Sequence, residues 1–519
     1  MKIQFLQEEL FKLNISSNIK TSDELYIEIS TGDVTGIISS LTTKFKLSFI
    51  AEFCRQENGF IINILLSNRS KGYYVIAYYK TLENLISLQE IIFQAHLFER
   101  EISDLYGLKI MKGKDVRNIV KHEVWQNNVY PLRKSFKFGL KIEETNETPK
   151  YEFKKTSGEG GYQIAVGPVH AGIMEPGHFR FSVIGEEIEN LEIRLMYKHK
   201  GIEKMCENVD ANKLNLLFER VAGESSVAYG EAYALLVEKL IDYDVSTDIK
   251  YLRVVFLELE RIYNYLEDIS GICVDIGFSY PAKKYSYLSE LVHQLCERLT
   301  GSRFLRNTIV PCGINKDYDK QNSMDIISTL DKIKIRFDEI TSTTLNSVAF
   351  LDRVENTGMV KNSKAKRLCL TGIVGRASGV IYDVRTNFGY EMYKSLKPSV
   401  NYDVTGGIFA RYKLKISEIN DAILFINQAI NSIKVDFKKS KPDIKLTPNL
   451  ERFVSVETVK GELTIYGHTG ENNKFDRIYF KTPSFTNWNG LTFAILNEVV
   501  PDFPVCNKSF NMSYCENDR

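Results

Sequence analysis

The sequence predicts an α+β protein: a small N-terminal α+β domain, then a larger, mainly helical domain with β segments at its margins. Three observations predict it. Residues 60–67 (FIINILLS) and 73–79 (YYVIAYY) are β-rich runs separated by Asn-Arg-Ser-Lys-Gly, which reads as a hairpin turn. Between Leu214 and Ile433 apolar residues recur at helical spacing in several long stripes, the pattern of a helix bundle. From Val456 onward the pattern turns β-like again, through VETVKGELTIYGHTG and RIYFKTPSF.

Taken in order, the segment LISLQEIIFQAHLFEREISDLYGL (85–108) has a helical pattern ending near Gly107. Around 137–160 the composition shifts to Lys, Glu, Thr, Asn and Gly, as in a linker or extended crossing segment. The chain therefore divides into 1–138, a linker at 139–160, and 161–519. In the last part Leu214, Leu217, Phe218 and Val221 open a stripe that Tyr229, Ala232, Tyr233, Leu236 and Leu240 continue. Leu252, Val255, Phe256, Leu259, Tyr263 and Leu266 make a second stripe. A third (Leu288, Leu291, Val292, Leu295, Leu299) is stopped by Gly301, and a fourth runs from Ile416 to Ile433.

Composition narrows the function classes. Sixty-seven Lys+Arg against 66 Asp+Glu leave a formal charge of +1, which gives no electrostatic case for nucleic acid. No run reaches the roughly 18 apolar residues of a membrane span, and acidic residues occupy the place of a signal peptide's apolar centre. Composition alone therefore points to a soluble, cytosolic protein. The eight Cys are scattered singly, with no CxxC and no zinc-finger spacing to His, so a locally encoded metal or iron–sulfur site is not expected.

Three clusters carry candidate chemistry. Phe98–Gly107 concentrates Glu99, Arg100, Glu101 and Asp104; it suits either a solvated helix end or, with Arg133 further on, the dock of a partner subunit. The turn-forming segment Val166–Phe181 crowds His170, Glu175 and His178, a His–carboxylate set able to move protons, or else a turn held by side-chain hydrogen bonds. Gly375-Arg-Ala-Ser-Gly379, followed by Asp383 and Arg385, lacks the Lys-Ser/Thr ending of a phosphate loop. It reads as a small-residue turn bringing Arg376 and Arg385 toward a cavity, with surface salt bridges as the plainer alternative.

At these residues the chain resembles a known family. FEREISDLYGL (98–108) and HEVWQNNVYPLRKSFKF (122–138) resemble the 30-kDa-type subunit of respiratory complex I. GPVHAGIMEPGHFRF (167–181), YKHKGIEK (197–204), GRASGVIYDVR (375–385), KGELTIY (460–466) and TPSFTNW (482–488) resemble its 49-kDa-type subunit and the large subunits of energy-converting (group 4) [NiFe]-hydrogenases. Fusion of both parts in one chain is also seen in formate-hydrogenlyase-type subunits.

The resemblance implies a fold with a place for four nickel-holding thiolates, two after an Arg and two near the C-terminus. Here Ala222 and Ser225 follow Arg220 at the first pair, and Tyr229 stands at a following His position. Aligned on Asp518-Arg519, Ser513 and Glu516 take the second pair; a shifted register sets Cys515 and Met512 there instead. The chain stops at that processing-like Asp-Arg. Ala offers no donor and a serine hydroxyl stays protonated at neutral pH, so no NiFe centre and no other metal is expected in this chain. In complex I the same cavity takes a quinone headgroup, and Leu217 stands here where that family has a Tyr. The implied function is a peripheral-arm subunit of a membrane-bound oxidoreductase, on the cytoplasmic face of the cell membrane. Its expected partners are an iron–sulfur subunit of the 20-kDa or hydrogenase-small type, a ferredoxin-like subunit and antiporter-like membrane subunits. The iron–sulfur clusters belong to those partners. A quinone or small electron acceptor is the expected ligand, with His170, Glu175, His178 and Glu224 facing Arg376, Asp383 and Arg385. The alternative is a non-catalytic, structural subunit that couples the cluster arm to the membrane arm.

Overall fold

The computed structural model describes residues 2–13, 15–145, 147–148, 150–156, 160–170, 174–440 and 443–519. Its small domain is a five-stranded mixed sheet of β1 (Ser17–Thr21), β2 (Glu24–Glu28), β3 (Ser48–Gln56), β4 (Phe60–Asn68) and β5 (Tyr73–Thr81), ordered β1-β2-β5-β4-β3. The predicted hairpin is β4–β5, paired antiparallel from Phe60↔Thr81 to Asn68↔Tyr73. Helix α1 (Lys2–Lys12), helix α2 (Val34–Thr43) and helix α3 (Ala95–Tyr106) pack with this sheet.

Helix α3 is half the length the apolar pattern suggests. Asn84–Ile86 instead forms strand β6, parallel to β7 (Lys109–Met111). The N–H groups of Ile86 and Leu88 find side-chain acceptors in place of helical carbonyls, the Tyr79 hydroxyl (2.9 Å) and the Glu99 carboxylate of α3 (2.6 Å). Gly107, at φ 72°, closes α3 in the left-handed conformation that glycine reaches without strain.

Beyond the crossing segment, β8 (Gly161–Val166), β9 (His178–Ile184) and β10 (Glu187–Arg194) form an antiparallel sheet. The bundle consists of α4 (Ser226–Ile241), α5 (Thr247–Asp275), α6 (Ser279–Thr300), α7 (Lys320–Leu345) and α8 (Ile408–Ser432). Helix α5 is its axis, packed by α6 and α8. The stripe from Leu214 to Leu240 is not one helix: a turn at Asn215–Phe218 and a 3-10 turn at Gly223–Ser225 precede α4. The break is held from two sides. The Lys200 ammonium donates to the carbonyls of Arg220 (3.1 Å) and Val221 (2.8 Å), while the Glu260 carboxylate accepts the first N–H groups of α4, from Val227 (2.7 Å) and Ala228 (3.1 Å).

The short ribbon β11 (Ile309–Val310) and β12 (Gly313–Ile314) precedes the C-terminal meander of β13 (Glu451–Thr458), β14 (Gly461–Thr469) and β15 (Phe475–Lys481). That meander meets the small domain: Phe53 on β3 stacks on Tyr479 at 4.6 Å and lies 4.8 Å from Tyr466. Phe453, Tyr466, Tyr479 and Phe485 therefore belong to the same apolar core as the small sheet. Helix α9 (Pro483–Ala494), capped by the Thr482 hydroxyl, and the one-turn helix α10 (Tyr514–Asp518), capped by Ser513, finish the chain.

Candidate functional site

Two segments that carry the singled-out positions converge. The Lys200 ammonium, already on the carbonyls of Arg220 and Val221, also donates to the Cys515 carbonyl at 3.3 Å. Behind it, the Tyr229 hydroxyl on α4 donates to Glu516 Oε1 at 3.0 Å. Glu516 Oε2 accepts the Ser484 N–H at 3.2 Å and the Ser484 hydroxyl. The Ser513 N–H in turn donates to Ser484 Oγ at 3.1 Å. Ala222 and Ser225 are fully buried, and among the described residues the Ser225 hydroxyl has no hydrogen-bond partner. Cys515 Sγ lies 3.2 Å from Ser513 Oγ. Burial, then the carboxylate of Glu224, pushes the Cys515 thiol up to about 11, so it stays protonated at neutral pH.

A lysine stands at the centre of this polar region. Lys460, in the tight turn between β13 and β14, places its ammonium 3.6 Å from the Glu224 carboxylate. Burial alone would lower its pKa, yet the negative fields of Glu224, Asp268 and Glu516 hold it above the ordinary value. Asp268 on α5 is itself paired with Lys415 on α8 at 2.6 Å. Burial pulls Lys415 down to about 8 against that pairing. Glu224 is the more open of these groups, its side chain 30% exposed.

The His-bearing segment divides between two faces. His170 packs against Phe179 and approaches the Tyr514 hydroxyl at 3.4 Å. Glu175 contributes to the negative field on Cys515 and Asp518. Alternation along β9 sends His178 the other way. It packs on Phe153 of the crossing segment, with Nδ1 3.2 Å from the Gly167 carbonyl oxygen. His178 therefore does not join His170 and Glu175. Residues 171–173 of the same motif lie outside the described residues.

Arg376, Asp383 and Arg385 do not line an open cavity wall, nor are they surface salt bridges. All three are at most 2% exposed, closed into a seven-membered ion network with Glu258 and Arg261 of α5, Glu418 of α8 and Glu457 of β13. Arg376 bonds Asp383 (2.6 Å), Glu418 (3.0 Å) and Glu457 (3.2 Å); Arg385 bonds Asp383 (2.7 Å) and Glu418 (2.7 Å). The expectation fails because the opposite charges arrive from helices far away in sequence. GRASG begins as the end of the short helix Gly372–Ala377 and closes in a turn at Ser378–Gly379, where Gly379 has φ 77°.

The acidic cluster of α3 is likewise turned inward, not toward solvent. Glu99 accepts from Leu88 N and from Gln89 Nε2 (2.8 Å), while Asp104 accepts the N–H groups of Ile119, Val120 and Lys121. Arg100 donates to the carbonyls of Arg117 and Asn118 (2.5 and 3.0 Å). Arg133 donates to the Tyr106 carbonyl at 2.6 Å. Glu101 pairs with Arg519. The side chains of Glu99, Arg100, Asp104 and Arg133 tie the small domain to its own loops, and that of Glu101 reaches the large domain, through Arg519.

Sequence reasoning missed Lys200, Lys460, Asp268 and Lys415. Lys200 and Lys460 lie inside quoted motifs and carried the signal; Asp268 and Lys415 look like ordinary charges on amphipathic helices. Among the described residues no group of three or more His, Cys, Asp or Glu is arranged to hold a metal ion. A cavity of about 670 Å³ opens elsewhere, between α3, the 114–119 loop, β10 and α9.

Comparison with known proteins fits this two-part architecture. Residues 275–519 match the family of the 49 Kd subunit of respiratory-chain NADH dehydrogenase, and residues 27–141 match that of the 30 Kd subunit. The chain belongs to the complex I/hydrogenase-related family of fused 30-kDa- and 49-kDa-type subunits. Formate hydrogenlyase subunit 5 of Escherichia coli is 26% identical over 81% of this chain and 74% of its own length. The C/D-type NADH-quinone oxidoreductase protein of Phocaeicola vulgatus is 28% identical over 78% of this chain and 79% of its own. The NADH-ubiquinone oxidoreductase 49 kDa subunit of Reclinomonas americana is 26% identical over 69% of this chain and 97% of its own. In this complex I/hydrogenase-related protein no helix of the described residues is long and apolar enough to cross a membrane.

Proposed function

We propose that the chain is a peripheral-arm subunit of a membrane-bound, complex-I/hydrogenase-related oxidoreductase, working without a nickel–iron centre. It sits on the cytoplasmic face beside an iron–sulfur subunit of the 20-kDa type. A ferredoxin-like subunit and antiporter-like membrane subunits complete the assembly. The convergence of loop 220–225 with the C-terminal helix around Glu224, Lys460 and Cys515 carries this reading.

A thiolate-held metal pair does not fit that donor set. Ala222 has no donor atom, Ser513 caps α10, and both oxygens of Glu516 are already accepting hydrogen bonds. The thiol at hand is Cys515, and it is protonated at neutral pH. What remains is proton-handling equipment. Glu224, partly open to solvent and paired with Lys460, is placed to give or take a proton at its carboxylate, with His170 and Glu175 near the same C-terminal segment. A quinone or another small acceptor that gains electrons from a neighbouring cluster needs such groups.

The decisive experiment purifies the intact complex and measures electron transfer to quinone analogues and soluble carriers, alongside metal content. Transfer that falls at least tenfold in Glu224→Gln, with clusters and assembly intact, supports the reading. No transfer to any acceptor with clusters intact favours the second reading, a non-catalytic protein that couples the two arms. The observation on that side is Glu516, whose hydrogen bonds fill a ligand position. Stoichiometric nickel overturns both.

A further inference from the structure

We infer that Lys200 and Glu516 form a metal-free clasp on the C-terminal helix, Lys200 tying it to loop 220–225 and Glu516 tying it to α4 and α9, performing with hydrogen bonds the cross-linking that bridging thiolates perform around a metal. The inference rests on the proposed absence of a nickel–iron centre and goes beyond it, because losing metal ligands does not by itself say what holds the two segments together.

The two segments are far apart in sequence and each is irregular. Neither has a sheet ladder to fix it: 220–225 is the break before α4, and α10 is a single turn. In this position α10 is joined to the rest of the domain through several of its polar groups. Lys200 spans the gap directly, donating to Arg220 and Val221 on one side and to Cys515 on the other. Glu516, fully buried, accepts from Tyr229, whose helix begins where the 220–225 break ends, and from Ser484 at the start of α9. Asp518 accepts the N–H groups of Met196 (2.9 Å) and Lys198 (2.8 Å). The Arg519 carbonyl accepts those of Lys200 (2.8 Å) and Gly201 (3.2 Å).

Charge makes the same substitution. A metal held by thiolates would be the positive centre of this region. Here ammonium groups are the cations: Lys460, 3.6 Å from Glu224 and within the fields of Asp268 and Glu516, and Lys200 on the carbonyls of both segments. A buried carboxylate that accepts several hydrogen bonds is enough to decide whether a single-turn helix stays docked.

The test is hydrogen–deuterium exchange on the intact complex, read at peptides covering 513–519 and 220–225. In the wild type, exchange is expected to be unchanged by a metal chelator or by added nickel. Glu516→Ala is expected to raise exchange in both peptides roughly tenfold or more. Glu516→Gln, which keeps an acceptor for Tyr229, is expected to restore most of the protection, with Tyr229→Phe intermediate. If Glu516→Ala does not assemble, the Gln and Phe variants still read the effect. Protection that survives both Glu516→Ala and Tyr229→Phe, in protein free of nickel, overturns the clasp while leaving the metal-free reading intact. Protection lost on chelation of stoichiometric nickel overturns both.

Discussion

The guanidinium of Arg519 lies between the carboxylates of Glu101 and Glu203, so it joins helix α3 of the small domain to the large domain. It also donates to the Phe480 carbonyl, and it is 2% exposed. Burial pushes the Glu101 carboxyl up to about 7 even with this partner in place. Removing the arginine therefore strands a buried acid. Arg519→Ala is expected to cost about 3–5 kcal/mol by denaturant titration. Arg519→Ala combined with Glu101→Gln should recover a good part of the loss, and failure to do so would separate packing from charge.

The ion network around Arg376 predicts a structural phenotype. Arg376→Met leaves Asp383, Glu418 and Glu457 short of a partner, and about 3–5 kcal/mol of stability should be lost. Activity per correctly folded complex should be unchanged. A large fall in turnover at wild-type thermal stability would contradict a purely supporting role for this network.

Gly372 and Gly461 define a backbone crossing. Gly372 has φ 65°, and a Cβ there would stand 2.6 Å from the Gly461 Cα. Gly461 has φ 128°, and its Cβ would meet the Thr371 hydroxyl oxygen at 2.6 Å. The atoms facing Gly372 are backbone, not a flexible side-chain end that can swing away. Gly372→Ala is expected to destabilise by more than about 1–3 kcal/mol, visible as a lowered Tm or as insoluble protein.

Stability should fall as pH rises toward 8. Burial pushes the Glu260 carboxyl up to about 8, against the pull of the Val227 and Ala228 N–H groups, and the Glu219 carboxyl up to about 7. Above the ordinary carboxylate range the unfolded chain has released these protons while the native chain still holds them. Each group then removes about 1.4 kcal/mol of stability per pH unit until its folded pKa is passed. The slope is read as the difference between wild type and Glu260→Gln in thermal melts between about pH 6.5 and 8, above the range where the lowered His96, His122 and His199 add stability with rising pH. A difference that does not change over that interval refutes the assignment.

The sequence patterns that were legible are the ones local chemistry controls. The β4–β5 hairpin, the helix end at Gly301 and the long helices around α5 follow from spacing and punctuation, and the family resemblance rested on short motifs in order. The helix predicted over 85–108 forms only from Ala95, because Tyr79 from the sheet and Glu99 from the helix itself satisfy the backbone of Ile86 and Leu88 in another conformation. The site was half legible. Glu224 and the vacated positions came from alignment on motifs, but Lys460 became meaningful only once Glu224, Asp268 and Glu516 were seen around it. His178 failed for the simplest reason, the two-residue period of a strand, which placed it on the face opposite His170.

Phe53 stacked on Tyr479 has a consequence for how the two halves stay joined. Because the small sheet and the C-terminal meander share one apolar core, the halves do not depend on the crossing segment alone, which holds them at high effective concentration and adds contacts of its own at Tyr151 and Phe153. Cutting the chain within 139–145 should yield two fragments that co-migrate and separate only in denaturant. Fusion then fixes the two parts at one to one and makes their meeting a first-order event, while the aromatic contact decides whether they stay together.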